Sequence, residues 1–291
     1  MNQASLVGKI CVVTGANSGI GRAMAAQLGE RGATVVMVCR NPETSHAARA
    51  ELQTVCEANG GAGTFELIRA DLSEMAQVRR AAEEIRGRWP KVDVLVNNAG
   101  LYLPKRRVTS EGLETMFAVN HLAPFVLTQM LRDQLRAASS SGRPRVVTTS
   151  SFGHVLGHVN FEDLQAGRRF IGLRQYSNTK LMNVLFTREL ARREGDWLTA
   201  HCFNPGAVAT GFAQDERDAF SFGVLLARPF QRSPQSAART GTMLAADGEA
   251  LESNGGYWSR GKRTKPSREG RSNETALRLW DVSEKLAARL G

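Results

Sequence analysis

Seven short apolar runs, at residues 9–14, 34–39, 65–70, 92–96, 145–149, 198–203 and 256–258, alternate with stretches of helix-forming composition. This alternation constrains the fold more than any other feature of the chain. Strands this short, separated by a dozen residues or more, cannot meet through tight hairpins and must pair in parallel through helical crossovers. The runs are apolar on both faces, as a sheet covered by helices on both sides requires. Helices are expected at 20–31, 43–57, 74–88, 110–137, 175–193, 236–246 and 273–290. The stretch 110–137 should bend or shift near Pro124, because proline has no N–H for the helical ladder. No Pro/Gly/Ser linker divides the chain: the SSSG at 139–142 is only a turn, and there is no internal repeat.

Composition narrows the class. Hydrophobic residues make up 42% and charged residues 23%, which fits a globular protein and excludes wholesale disorder. No apolar run approaches the roughly 18 residues a membrane span needs. Residues 1–10 carry no secretory pattern, and Cys11, Cys39, Cys56 and Cys202 form no Cys-x-x-Cys, so a reducing, cytoplasmic setting is expected. The net charge is +10, and six basic residues crowd into 260–271 against Glu269 alone. With no basic stripe interleaved with aromatics, 259–272 reads as a solvated basic loop and nucleic acid is not an expected partner.

The first strand runs into Thr14-Gly15-Ala16-Asn17-Ser18-Gly19-Ile20-Gly21. Gly15 permits a tight turn, Gly19 a close approach of backbone to a pyrophosphate, and Gly21 close packing of helix on strand. The pyrophosphate would rest on the N–H groups opening the helix, so Asn17, Ser18 and Ile20 join the candidate site. This turn at the start of a βαβ unit makes the expected fold an α/β, doubly wound, Rossmann-like single domain over 1–291. Residues 212–233, with Phe212, Phe220, Phe222 and Phe230, read as a substrate lid or an insertion. Nineteen residues past Gly21, the second strand ends at Arg40. An acidic side chain there would bond a ribose 2′-OH, whereas a guanidinium suits a 2′-phosphate, so NADP(H) is the expected cofactor and NAD(H) the second candidate.

With Tyr176-Ser177-Asn178-Thr179-Lys180 added, the chain resembles the short-chain dehydrogenase/reductase family. Further matches fall in the family's order: Asp71-Leu72, Asn97-Asn98-Ala99-Gly100, Asn120, Thr149-Ser150-Ser151 and Asn204-Pro205-Gly206. The segments Cys39-Arg40-Asn41, Val119-Asn120-His121-Leu122 and Leu279-Trp280-Asp281-Val282-Ser283 are most similar to its retinol dehydrogenase-like branch. The resemblance implies hydride transfer between the cofactor and an alcohol or carbonyl. It assigns Asn120, Ser151, Tyr176 and Lys180 to catalysis, and Lys180 also to the nicotinamide ribose. Ser150 competes with Ser151, but the 25 residues from Ser151 to Tyr176 resemble the spacing of that branch. The cofactor would further meet Asp71 and Leu72 at the adenine, Asn98, Ala99 and Gly100 on its floor, and Pro205, Gly206, Val208 and Thr210 at the carboxamide. Family members assemble as dimers or tetramers, so a homo-oligomer is admitted.

Tyr176 and Lys180 stand four apart on a helix and share a face. An ordinary phenol has a pKa of about 10, and the expectation is that the ammonium beside it lowers that value. Ser151 would hydrogen-bond the reacting oxygen, and Asn120, by resemblance, would keep a water joining Lys180 to solvent. His154 and His158 have metal-ligand spacing only if helical. They flank glycines and lack a third ligand, so no metal is expected and both read as lining a substrate entrance with Leu101, Tyr102 and Leu103. The carbon-rich residues around Phe203 and 212–230 suggest an apolar small-molecule substrate. The alternative is a catalytically silent dinucleotide-binding sensor, against which the intact Asn120, Ser151, Tyr176 and Lys180 set argues.

Overall fold

The computed structural model describes residues 4–206, 208 and 232–290. Thr210 and all but the last two residues of the expected lid lie outside the described residues.

Strands β1 (Ile10–Thr14), β2 (Thr34–Cys39), β3 (Thr64–Arg69), β4 (Val94–Asn97), β5 (Arg145–Thr149), β6 (Thr199–Asn204), β7 (Gly256–Ser259) and β8 (Lys262–Thr264) build one sheet. Their order is β3-β2-β1-β4-β5-β6-β7-β8, with all pairs parallel except the antiparallel β7–β8. The doubly wound expectation holds. The segment 259–272 departs from the open loop expected of it: Lys262–Thr264 turns back as an edge strand, and Glu269–Arg271 forms a 3₁₀ turn.

The period of two along each strand sorts side chains into two cores. Val12, Val36, Val38, Leu95 and Val146 face the layer containing α3 (Met75–Arg88), α5 (Ala123–Met130), α7 (Gly172–Glu194) and α9 (Asn273–Arg289). Cys11, Val13, Val35, Met37, Val96 and Val147 face the layer containing α1 (Gly19–Gly29), α2 (Pro42–Ala58) and α8 (Pro234–Ala246). Phe203, expected near the substrate, is fully buried in this second core, so it supports the sheet instead of lining a site.

The long helix expected at 110–137 is broken into α4 (Thr115–Phe117), a wide π turn (Ala118–Leu122), α5 and α6 (Arg132–Ala138). The shift precedes Pro124, and residues 110–114 form a turn bridged from Val108 to Glu114. The cause is tertiary: buried Glu114 accepts from Met116 N and Phe117 N, both at 2.8 Å, and starts the helix late.

Candidate active site

Chain order reverses between β1 and β4: β1, β2 and β3 run one way from this point, β4 to β7 the other. The connections leaving these neighbours diverge and open a crevice beyond the carboxyl ends of the strands. The turn after β1 lines it. Gly15 sits at φ +66°, in the left-handed region glycine tolerates. A side-chain carbon on Gly21 would fall 2.2 Å from Gly15 O and 2.4 Å from Asn98 Nδ2, so helix α1 can close on the turn only with glycine there. Ser18 caps α1 without using its hydroxyl, which leaves the first-turn N–H groups facing the crevice free of a side-chain cap. Asn17 Nδ2 donates to Thr44 Oγ1 at 3.1 Å and ties the turn to the start of α2.

The crevice floor is knitted by three side chains. Thr14 Oγ1 accepts from Asn98 N and Ala99 N, each at 3.0 Å. Asn98 Nδ2 donates to Thr14 O at 3.0 Å, and Asn98 Oδ1 accepts from Thr149 Oγ1 at 3.4 Å. The ends of β1, β4 and β5 thus move as one. Sequence reasoning missed Thr14, whose hydroxyl looks like ordinary strand chemistry until Asn98 is placed beside it.

At the rim, Arg40 is largely exposed, with Nη1 3.9 Å from Asp71 Oδ2. Asp71 Oδ1 is held by Ser73 N and Ser73 Oγ, and Leu72 is buried next to it. At the far end, Gly206 N donates to Asn204 Oδ1 at 2.9 Å, Arg232 Nη1 donates to Pro205 O at 3.3 Å, and Val208 bridges to Arg232. These residues fit a dinucleotide: a bare glycine turn, uncovered helix N–H groups and a cation at the second strand's end share one crevice.

The other candidates converge where β4, β5, the π turn and α7 meet. Tyr176 and Lys180 share the inner face of α7, with Lys180 Nζ 5.5 Å from the Tyr176 ring centroid. Ser151 is hydrogen-bonded to the Tyr176 hydroxyl. Ser151 Oγ also accepts from Gly153 N at 3.1 Å, which holds it beside the phenol. Ser150 instead donates to Lys180 O at 2.8 Å and is buried, which removes it from competition for the open site. Lys180 Nζ donates to Thr149 O at 3.4 Å, and a side-chain carbon on Gly100 would lie 3.0 Å from that nitrogen. Asn120 Oδ1 accepts from Leu101 N at 2.8 Å, while its Nδ2 donates to Leu101 O and Thr179 Oγ1. Its side chain therefore pins the Gly100–Leu101 backbone against α7, and the π turn makes that reach.

Burial dominates the electrostatics here. It pushes the Tyr176 phenol up to about 12, against the opposing hydrogen bond from Ser151. It draws Lys180 down to about 8. The expectation of a phenol made acidic by its lysine is thus reversed: burial is the leading influence on both groups, and it disfavours the charged form of each. Tyr102, Leu103 and Met116 pack with Tyr176 as an apolar cluster, with Leu101 and Phe170 against it. Gln175, next to Tyr176, donates to buried Glu114 at 2.9 Å. His154 is buried behind Ser151 and so lines no entrance, while His158 is exposed and pairs with Glu269 at 2.9 Å.

Residues 9–220 match the model of a family described as short chain dehydrogenase. The chain is similar to retinol dehydrogenase 12 of Mus musculus, 37% identical over 282 residues, covering 95% of this chain and 85% of the relative. Among solved structures it is similar to an uncharacterized protein from Mycobacterium paratuberculosis, with TM-score 0.79 and 31% identity over 99% of this chain and 96% of the other. It is also similar to a blue fluorescent protein from a metagenomic library, solved in complex with NADPH, with TM-score 0.67 and 28% identity over 88% of this chain and 97% of that one. Among the described residues no helix is long and apolar enough to cross a membrane.

Proposed function

The chain belongs to the short chain dehydrogenase family of oxidoreductases, and from that premise we propose that it moves a hydride between NADP(H) and the alcohol or carbonyl carbon of an apolar small molecule. The observation carrying this reading is the meeting of Ser151, Tyr176 and Lys180 beside the nucleotide crevice, with the Ser151 hydroxyl bonded to the phenol. A bound nicotinamide supplies or accepts the hydride. The chain's own residues handle the proton and the orientation. Asn17, Ser18, Gly19, Ile20 and Gly21 receive the pyrophosphate, Arg40 the 2′-phosphate, and Asp71 and Leu72 the adenine side. Asn98, Ala99, Gly100, Pro205, Gly206 and Val208 would frame the nicotinamide half, and Thr210 is proposed for the same role from the sequence alone.

Ser151 donates to the reacting oxygen and orients it. Tyr176 holds its proton across the working pH range because burial raises it to about 12. An alkoxide forming on the substrate is a far stronger base than a phenolate, so transfer from Tyr176 to that oxygen runs downhill. A protonated phenol is the form that serves carbonyl reduction. Lys180, drawn down to about 8, returns a proton to the phenol more readily than an ordinary ammonium would. Asn120 keeps the Gly100–Leu101 turn closed over that lysine. Tyr102 and Leu103, backed by the fully buried Met116, offer the substrate carbon, not charge, which together with the similarity to a retinol dehydrogenase supports an apolar alcohol or aldehyde. Tyr176→Phe should abolish oxidation of NADPH by a panel of aldehydes and ketones, read at the nicotinamide absorbance band, while NADPH binding stays near wild type. Turnover retained in that variant rejects the assignment.

A further inference from the structure

The basic segment 259–272 and the pair His154 and His158 are left without a role by this mechanism, yet they meet directly behind Ser151. His154 is 2% exposed. Its Nδ1 lies 2.8 Å from Ser151 O, and its Nε2 accepts from Ser267 N at 3.1 Å. Tyr257 reaches the same Ser151 carbonyl with its hydroxyl at 3.4 Å, and its ring centroid lies 4.6 Å from that of His154. One turn further on, Glu269 accepts from Val159 N at 2.8 Å and pairs with His158 Nδ1 at 2.9 Å.

We infer that Ser267–Glu269 is a brace for the catalytic serine, and that His154 is the positioning residue through which it acts. A backbone N–H can only donate, so the Ser267 contact requires a lone pair on Nε2. The ring proton then sits on Nδ1 and points at the Ser151 carbonyl. Both nitrogens are occupied, so this imidazole has no atom left for proton transfer. Its function is to hold. Burial keeps it neutral, as that bonding pattern demands. With the Ser151 carbonyl held by His154 and Tyr257, and Oγ accepting from Gly153 N, the position of the hydroxyl oxygen beside Tyr176 is fixed from both ends of the residue. The brace thus couples a segment more than 100 residues downstream to the placement of one hydroxyl group. The inference rests on the reading of Ser151 given above.

Two substitutions divide the ring's duties. His154→Gln leaves an acceptor where Nε2 stands and removes the donor to Ser151. His154→Asn keeps a donor where Nδ1 stands and releases Ser267. A misplacement of about 1 Å at a reacting group costs roughly 100-fold in rate. With NADPH and 4-nitrobenzaldehyde as probe, His154→Gln should lower kcat by about 10- to 100-fold with the NADPH KM unchanged. His154→Asn should recover most of that loss, and Glu269→Ala, which touches no reacting group, should lower kcat several-fold. In the wild-type protein the amides of His154 and Ser267 should exchange with deuterium together, in one slow class. Wild-type kcat in His154→Gln and Glu269→Ala, beside a Ser151→Ala variant that has lost activity, overturns the brace and leaves the serine reading intact. Wild-type kcat in Ser151→Ala overturns that reading itself. If the His154 variants do not fold, rapid exchange at Ser267 beside a protected serine turn, or an unchanged Glu269→Ala, is sufficient to reject the inference.

Discussion

Replacing His121 by glutamine should remove about 2 kcal/mol of the stability this protein loses between pH 7 and pH 5. His121 lies in the π turn, buried, with Nε2 2.8 Å from Ser283 Oγ on α9 and its other face toward Asn183 of α7. Burial draws its imidazole from 6.5 down to about 3. In the unfolded chain the ring titrates near its ordinary value. Between those two values the unfolded chain binds the extra proton and the folded one does not, so stability rises with pH across that window. The contribution is complete above the unfolded value and is lost as the pH falls below it. At pH 5 the unfolded ring is about 1.5 pH units below its midpoint, which at 1.36 kcal/mol per unit gives the figure of about 2 kcal/mol. Glutamine can still meet Ser283 and does not titrate. Urea unfolding followed by tryptophan fluorescence at pH 7, 6 and 5 measures the slope in both proteins. The acid sensitivity left in the variant belongs to groups such as His154 and His201, which burial also lowers. Equal loss of stability in wild type and variant would show that His121 is not held neutral, and the reasoning from its burial would fail.

Three further outcomes follow from the site. Arg40→Asp should move the NADPH/NADH preference toward NADH by at least about ten-fold in kcat/KM, since it removes a charge-assisted contact with the 2′-phosphate; an unchanged ratio rejects Arg40 as the discriminator. Carbonyl reduction should decline as the pH rises through about 8, where Lys180 loses the proton it passes to Tyr176; a flat kcat profile through that region contradicts the relay. Gly21→Ala should sharply weaken nucleotide binding and lower the Tm, because the added carbon lands 2.2 Å from Gly15 O; calorimetric titration with NADPH checks it, and wild-type affinity would show that the turn yields at little cost.

Local chemistry was legible and tertiary chemistry was not. β2 and β5 have the bounds their β-branched runs announce, 34–39 and 145–149, because a buried parallel strand is encoded in its own residues. The glycine turn and the Tyr176–Lys180 spacing are likewise local, and the structure brings them to one crevice. The break in the helix expected at 110–137 is not local: it depends on Glu114 bonding the chain ahead of it and on Asn120 reaching back to Leu101. The state of Tyr176 was misjudged for a related reason. Spacing reveals the neighbouring lysine but not the depth at which both are buried, and depth prevails. His154 and Tyr257 stand more than 100 residues apart, with no motif to link them before the sheet brings β7 beside β6.

The hairpin that ends the sheet has a colloidal consequence. A row of parallel strands closing on an apolar edge would invite a neighbouring chain to continue the ladder. Here the edge strand β8 is three residues long, exposed and led by Lys262 and Arg263. Two copies meeting there would set cation against cation, so fibre-like growth from this margin is discouraged.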